Sequence, residues 1–321
     1  MVKIGYTLMS EQSPPGRLVE DAVSAERAGF DYETISDHYF PWLEEMSHSP
    51  YAWSVLGAVA QATERVPLMT YVTCPIMRYH PAVVAQKAAT MGALSQGRFM
   101  LGLGAGENLN EHVIGRGWPP VNIRHEMFGE AVEIIQALFG GEYVSYRGDH
   151  FTVDSAKLYD LPPVPVPIGI AASGAQSVDL AAEYGDALIA TEPDRRLVER
   201  FHASGGAGKP VYGQLVISYD IDVEAATERA HRLWKWSPAG WKVLAELPGP
   251  VNFADYAQFV RPEDVTKHVP CGSDVDAVVQ AIKEFTDAGF THIALVQIDP
   301  AHQTPFLTWA HSTLLPTLKT L

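Results

Sequence analysis

The sequence is short of cysteine, of long apolar runs and of positive charge, and each shortage excludes something. Cys74 and Cys271 are the only cysteines in 321 residues, too few for a disulfide framework and without metal-ligand spacing. The longest apolar runs, such as Phe99–Ala105, fall far below the roughly 20 residues of a membrane-spanning helix. The first 25 residues carry Lys3, Glu11, Arg17, Glu20 and Asp21 with no long apolar block, so no signal peptide is visible and a reducing cytoplasm is the expected compartment. Basic residues number 23 against 38 acidic, a formal charge of −15. With no Lys/Arg cluster, nucleic-acid binding would work against the protein's own field. No G-x-G-x-x-G follows the first strand, which argues against the commonest dinucleotide-binding sheet. What is present is an ordinary globular composition, 47% hydrophobic, so disorder is excluded.

Strand-like runs alternate with helical periods almost to the end. Lys3–Leu8, Tyr32–Ser36, Leu68–Thr73 and Phe99–Gly104 read as the first four strands, with helices over Gly16–Ala28, Tyr51–Thr63, Ala82–Leu94 and Glu126–Phe139. Pro167–Ala172, Ala187–Ala190, Val211–Tyr219 and Thr291–Gln297 supply four more strands, and Asp274–Ala288 a further amphipathic helix. The closing helix, Pro305–Leu318, carries an internal Pro316 that should fray it. Ala28-Gly29-Phe30-Asp31 and Ala288-Gly289-Phe290-Thr291 repeat one helix–Gly–strand junction, with Gly as the left-handed cap. Eight βα units of about 40 residues account for the length, the pattern of a (β/α)₈ TIM barrel. An open doubly wound sheet is the competing topology. The barrel is read as one domain over residues 1–321, with a hairpin inserted near 143–153 and a long, irregular, aromatic-rich insertion over 237–270 before the last unit.

In such a barrel the active face gathers residues from the carboxyl ends of the strands. Strand two ends in Ser36-Asp37-His38-Tyr39-Phe40-Pro41-Trp42. An imidazole here can take or give a proton near neutrality, or it is a capping or core histidine; Trp42 is a substrate wall or only a hydrophobic lid. Strand four ends in Gly102-Leu103-Gly104-Ala105-Gly106-Glu107-Asn108. Alternating glycines imply close approach of a flat ligand or of another backbone, and Glu107 projects beside it. Strand five opens through Ala171-Ala172-Ser173-Gly174-Ala175 into a helix, a candidate phosphate seat or simple turn chemistry. Arg78 either offsets an anionic ligand or forms an ion pair. Cys74 is read as packing, and Trp234, Trp236 and Trp241 as core and lid.

These residues carry a resemblance. Glu11-Gln12, Ser36-Asp37-His38 through Trp42, Cys74-Pro75 through Pro81, Gly104-Ala105-Gly106-Glu107 through Asn110-Glu111, and Ala171-Ala172-Ser173-Gly174 occur in the order seen in the luciferase-like (β/α)₈ flavin and deazaflavin oxidoreductases. The closer resemblance is to the branch of coenzyme F420-dependent glucose-6-phosphate dehydrogenase and F420-dependent secondary alcohol dehydrogenase. It implies hydride transfer from a hydroxyl-bearing carbon to C5 of the deazaflavin, with FMN-dependent monooxygenation or non-catalytic deazaflavin binding as alternatives. By the same resemblance His38 is the base on the substrate hydroxyl, and Glu107 supplies a proton at N1 of the ring. Trp42 orients the substrate, and Glu11 is a pocket glutamate beside His38. Tyr71-Val72 matches a non-proline cis peptide supporting the ring. Asp37, Thr73, Gly106, Asn108, Ala172, Ser173, Gly174 and Thr191 are the further cofactor contacts it implies, with Arg78, Arg116 and Arg124 as candidate cations for the cofactor's acidic end. No metal, membrane or nucleic acid is implied; the partner is a small hydroxyl substrate, and the family habit is a homodimer.

One departure bears on substrate. Sugar-phosphate members hold the phosphate with lysines after strand six and in the long insertion, and with an arginine near the last helix. This sequence has Asp194 and Asp255 at the first two positions and offers Lys267 and His268 in the third region. Acids in place of cations at a dianion site should cost on the order of several kcal/mol. Lys267, Arg195 or Arg196 could build a different phosphate seat; an unphosphorylated sugar or a secondary alcohol stands equally open.

Overall fold

A computed structural model describes residues 2–319; residues 1, 320 and 321 of the expected span lie outside them. β1 (Lys3–Leu8), β2 (Tyr32–Ile35), β3 (Leu68–Thr70) and β4 (Phe99–Leu103) form one half of a barrel, and a separate antiparallel hairpin of β5 (Val144–Arg147) and β6 (Thr152–Ala156) follows. β7 (Ile168–Ala171), β8 (Ala187–Ile189), β9 (Val211–Ile217) and β10 (His292–Gln297) complete it. The eight barrel strands close in the order β1-β10-β9-β8-β7-β4-β3-β2, the expected TIM barrel. Buried on both faces, these strands need near-continuous apolar runs. Tyr32, Met69, Ile189, Tyr212 and Ala294 fill the interior, while Ile4, Tyr6, Leu101, Leu215 and Leu295 join the core beneath the helices.

The helices follow the strands as the pattern requires. α1 (Pro15–Ala28) begins with Pro inside its first turn and stops at Gly29, whose φ of 101° lets its amide reach the Ala25 and Glu26 carbonyls. α2 (Ala52–Ala62), α3 (Pro81–Leu94), the single turn α4 (Asn108–Glu111) and α5 (Val121–Phe139) surround the first half. α5 starts five residues before the expected Glu126, because Pro120 and not a polar cap sets its entry. α6 (Ala175–Tyr184) and α7 (Arg195–Phe201) follow β7 and β8.

The stretch between β9 and β10 departs most from expectation. α8 (Val223–Trp234), capped by Asp222, falls where the sequence reading assigns nothing. The expected irregular segment 237–270 is largely helical, with α9 (Trp241–Leu244), α10 (Pro250–Ala257) and α11 (Pro262–Thr266). Leu109, Trp234, Trp236, Leu244, Phe253 and Val296 make a second apolar cluster there, roofing the carboxyl ends of the first strands. α12 (Val275–Asp287) is capped by Asp274, and then the chain closes through α13 (Gln303–Trp309) and α14 (Leu315–Leu318). Between these two, Ala310–Leu314 widens into a π-turn; Pro316 breaks the ladder upstream of itself because its ring crowds the carbonyl four residues back. No helix among the described residues is long and apolar enough to cross a membrane.

Gly102 fixes how closely β3 and β4 approach. A Cβ there would lie 1.9 Å from the Thr70 carbonyl oxygen, while Thr70 Oγ1 donates to the Gly102 carbonyl and accepts its amide at 2.8 and 3.0 Å. Gly102→Ala is therefore expected to cost about 3 kcal/mol or more. Gly57→Ala, in open space on α2, should be neutral or stabilising by about 0.5 kcal/mol. Paired denaturant melts of the two variants test the contrast.

Candidate active site

Three strand ends converge on one imidazole. Glu11 lies in the loop after β1, His38 just beyond β2, and Glu107 just beyond β4. His38 Nε2 is 3.5 Å from Glu11 Oε1 and 3.7 Å from Glu107 Oε1. On the other side of the ring Nδ1 lies 3.0 Å from the Phe40 carbonyl. A carbonyl can only accept, so Nδ1 carries the hydrogen and Nε2 is left to exchange a proton.

Both carboxylates are fixed from behind. Glu11, 2% exposed at its side chain, accepts from Ser36 Oγ, which in turn accepts the Ser10 amide at 3.0 Å. Glu107 accepts from Asn110 Nδ2. The Oδ1 atom of Asn110 takes the amides of Tyr39 and Phe40 at 2.7 and 3.1 Å. One amide side chain thus ties the acid to the loop that carries His38. The sequence reading quotes Asn110 as part of a motif without giving it this task; a carboxylate and an amide three residues apart, at the first turn of a short helix, is the signal that was available.

Trp42 meets His38 edge-on, with ring centroids 4.7 Å apart. Its face stacks on Trp236 at 4.1 Å and 8°, and Phe253 from α10 abuts it at 5.2 Å. Trp234 and Trp236 are buried core, as expected, whereas Trp241 is 41% exposed.

The residues expected to hold a cofactor divide into two groups. Tyr71 and Val72 rest partly buried against the barrel-filling cluster, as does Ala171, which is not among the expected contacts, and the Tyr71–Val72 bond is cis. Ala172, Ser173 and Gly174 follow β7, where Ser177 Oγ already accepts the amides of Ser173 and Gly174 at 3.3 and 3.2 Å. Thr191 is exposed beyond β8. Gly106 has φ +77°, and a Cβ there would lie 2.5 Å from Cys74 Sγ, so this glycine serves close packing. Asp37, Thr73 and Asn108 engage the protein itself. Asp37 accepts from Trp53 Nε1 (3.0 Å), Thr73 Oγ1 (2.7 Å), Arg78 Nη2 (3.2 Å) and Tyr79 Oη (3.2 Å). Asn108 binds the Ala245 and Glu246 carbonyls through its amide and Nδ2 at 2.9 and 3.1 Å.

The cations are also largely engaged. Arg78 holds the Asp37 carbonyl at 2.7 Å and lies 3.5 Å from Glu111, so its ion-pair reading prevails. Arg124 is buried, stacked 4.3 Å over Trp118 and bonded to Glu246 at 2.8 Å. Of the three candidate cations, Arg116 alone is exposed, on the rim of a cavity of about 460 Å³ with His80 and His150. Cys74 is buried, which pushes its thiol well above its ordinary value and suits the packing role.

Residues 2–292 match the family described as luciferase-like monooxygenase. The chain belongs to the luciferase-like monooxygenase family. Among its relatives is the F420-dependent glucose-6-phosphate dehydrogenase of Amycolatopsis mediterranei (strain U-32), 38% identical over the full length of both chains. The F420-dependent hydroxymycolic acid dehydrogenase of Mycobacterium tuberculosis (strain ATCC 25618 / H37Rv) is 37% identical, covering 89% of this chain and 80% of that one. A solved F420-dependent secondary alcohol dehydrogenase, in complex with an F420–acetone adduct, superimposes with a TM-score of 0.88 at 30% identity over 97% of each chain.

Behind this luciferase-like site lies a further carboxyl, Glu111, whose proton affinity is altered. Burial raises Glu111 from 4.5 to about 7, against the attraction of Arg78. Arg78 lies closer to Asp37 than to Glu111, so Glu111 is the acid that keeps its proton. The folded carboxyl then holds a proton the unfolded chain has released, and stability falls as pH rises from the ordinary carboxylate range to about 7. Glu111→Gln should abolish this fall, worth about 3 kcal/mol by the size of the shift. Melting temperatures between pH 5 and 8 should fall less steeply in the variant, with Asp21, raised by burial to about 6, still contributing a fall; a slope equal to the parent's would contradict the assignment.

Proposed function

We propose that this protein is a coenzyme F420-dependent dehydrogenase that oxidises a hydroxyl-bearing carbon of a small molecule. The observation that carries the reading is the meeting of His38 with Glu11 and Glu107 at the barrel mouth, beside the apolar floor of Tyr71, Val72 and Ala171. That donor set fits a deazaflavin: a flat apolar support, an acid at one edge, and loops after β7 and β8 open to a phosphorylated chain. When bound, the deazaflavin supplies the two-electron acceptor, taking a hydride and a proton as the carbinol becomes a carbonyl.

The protein's own groups supply the proton handling. His38 Nε2 accepts the hydroxyl proton, and the Phe40 carbonyl on Nδ1 holds the ring in the tautomer that can. Glu11, next to the imidazolium that forms, offsets its charge. Glu107, oriented by Asn110, is the acid that delivers a proton to the reduced ring. Trp42 positions the substrate carbon against His38. Tyr71, Val72, Ala172, Ser173, Gly174 and Thr191 contact the cofactor, and Asp37, Thr73, Gly106 and Asn108 hold the loops that do. We place the enzyme in the cytoplasm as a homodimer working on small molecules.

Oxidised F420 and FMN, each titrated against the protein by fluorescence, test this reading. F420 should bind, and its deazaflavin absorbance should fall when a hydroxyl substrate is added. Binding of FMN alone, with oxygen uptake once it is reduced, would replace the proposal with a monooxygenase.

A further inference from the structure

One buried cation near the site is held by rings alone. Lys87, on α3, points its Nζ into a box of three aromatic side chains, 3.2 Å from the centroid of Tyr79, 5.0 Å from that of Tyr51 and 5.3 Å from that of Trp53. The Nζ atom is buried and has no hydrogen-bond partner. Separate elements build the box: Tyr51 and Trp53 stand at the start of α2, and Tyr79 in the loop between β3 and α3. Two of the rings donate to one carboxylate, Trp53 Nε1 to Asp37 Oδ2 at 3.0 Å and Tyr79 Oη to Asp37 Oδ1 at 3.2 Å. We infer, on the footing of the dehydrogenase reading above, that Lys87 is a positioning residue for the cofactor site: its ammonium gathers the rings that hold Asp37, and through Asp37 it fixes the loops on which the deazaflavin would rest.

The argument for a role beyond packing is the cost of the charge. An ammonium over an aromatic face is attracted by the ring, the more strongly once water is excluded. That same exclusion strips the charge of its hydration and leaves its N–H donors unused. Burial accordingly pushes Nζ down to about 8, against the attraction of Asp37. A methionine would reach as far and fill the box without that penalty. What lysine adds is a second positive charge beside a carboxylate that has no solvent of its own. The Asp37 side chain is 0% exposed, and the cation touching it, Arg78, is shared with Glu111.

Asp37 passes that hold to both sides of the site. It directly precedes His38, and it also accepts from Thr73 Oγ1 at 2.7 Å, one residue beyond the Tyr71–Val72 floor. Its backbone carbonyl takes Arg78 Nη2 at 2.7 Å. Slackening Tyr79 and Trp53 therefore reaches the floor and the imidazole segment through a single carboxylate. The charged and titratable groups facing Nζ are Asp37 after β2, Arg78 and Tyr79 from the β3–α3 loop, and Tyr51 before α2. Burial raises both phenols above their ordinary value, so between pH 7 and 9 Lys87 is the member of this set that changes charge.

F420 binding measured by fluorescence at pH 7 and pH 9, with melting temperatures taken on the same samples before F420 is added, tests the inference. At pH 7 Lys87→Met should raise the melting temperature by about 2–4 °C and yet weaken F420 binding about tenfold. The parent should lose about the same factor between pH 7 and pH 9, as the ammonium gives up its proton, and the methionine variant should lose nothing further over that interval. Lys87→Arg, charged at both pH values, should bind F420 equally at both. Parental affinity in Lys87→Met at pH 7 would overturn the inference. So would weaker binding joined to a lower melting temperature, since a packing role predicts both, and so would a parent whose affinity is the same at pH 7 and pH 9. Each of these leaves the cofactor reading standing, because the parent still binds F420; a parent that does not bind it removes that reading and the inference together. If the arginine does not fit the box, the methionine variant and the parent's pH series decide.

Discussion

His38→Ala is expected to lower kcat by about two to four orders of magnitude, the usual worth of a positioned proton acceptor, while F420 binding persists. The reasoning is geometric. Nε2 is the ring nitrogen left to exchange a proton, since Nδ1 is committed to the Phe40 carbonyl, and Glu11 and Glu107 face Nε2 from two sides. Alanine removes the acceptor and leaves those carboxylates without the group between them. Neither replaces it, because Glu11 is buried and held by Ser36 and Ser10. The dependence of kcat/KM on deprotonation of the base should disappear with the ring. A variant that kept the parent's rising pH profile would show that another group takes the proton. Loss of F420 binding instead of turnover would place the imidazole in cofactor recognition.

Glu107→Gln tests the other half of the proton path. The amide keeps the volume and an oxygen that still accepts from Asn110 Nδ2, so the loop bonded through Tyr39 and Phe40 should hold its shape. What it loses is the exchangeable carboxyl proton. Turnover should fall by about two to three orders of magnitude, with the F420 dissociation constant changed by less than about threefold. Equal turnover in parent and variant would end the proposed role of Glu107. Asn110→Ala, by contrast, leaves the carboxyl but frees its orientation, and should sit between the two.

Much of this was legible from residues in sequence. Glycine caps at 29 and 289 and apolar periods on α5 and α12 place the barrel elements within a few residues. His38 and Glu107 stand at strand ends because βα loops put them there, and the structure does bring them together. What local patterns could not reveal was pairing across the chain. Arg78 reaches Asp37 over 41 positions and Arg124 reaches Glu246 over 122, so two apparent ligand cations are internal ones. The roof was missed for a different reason. α9 and α11 are only four and five residues long, too short to show a helical period, and Pro250 and Pro262 read as loop punctuation although each begins a helix.

That roof has a consequence for how such enzymes diversify. The groups proposed to handle the proton come from the loops after the first four strands, whereas the apolar roof packed over them is supplied largely by one continuous stretch between β9 and β10. The seam includes Asn108 to the Ala245 and Glu246 carbonyls, Arg124 to the Glu246 carboxylate, Arg232 to Glu45, and the packing of Trp42 on Trp236 and Phe253. A lineage can therefore exchange this cassette and acquire a new clientele of substrates, provided the replacement presents a carbonyl to Asn108 and a flat ring to Trp42, without revisiting the reaction centre.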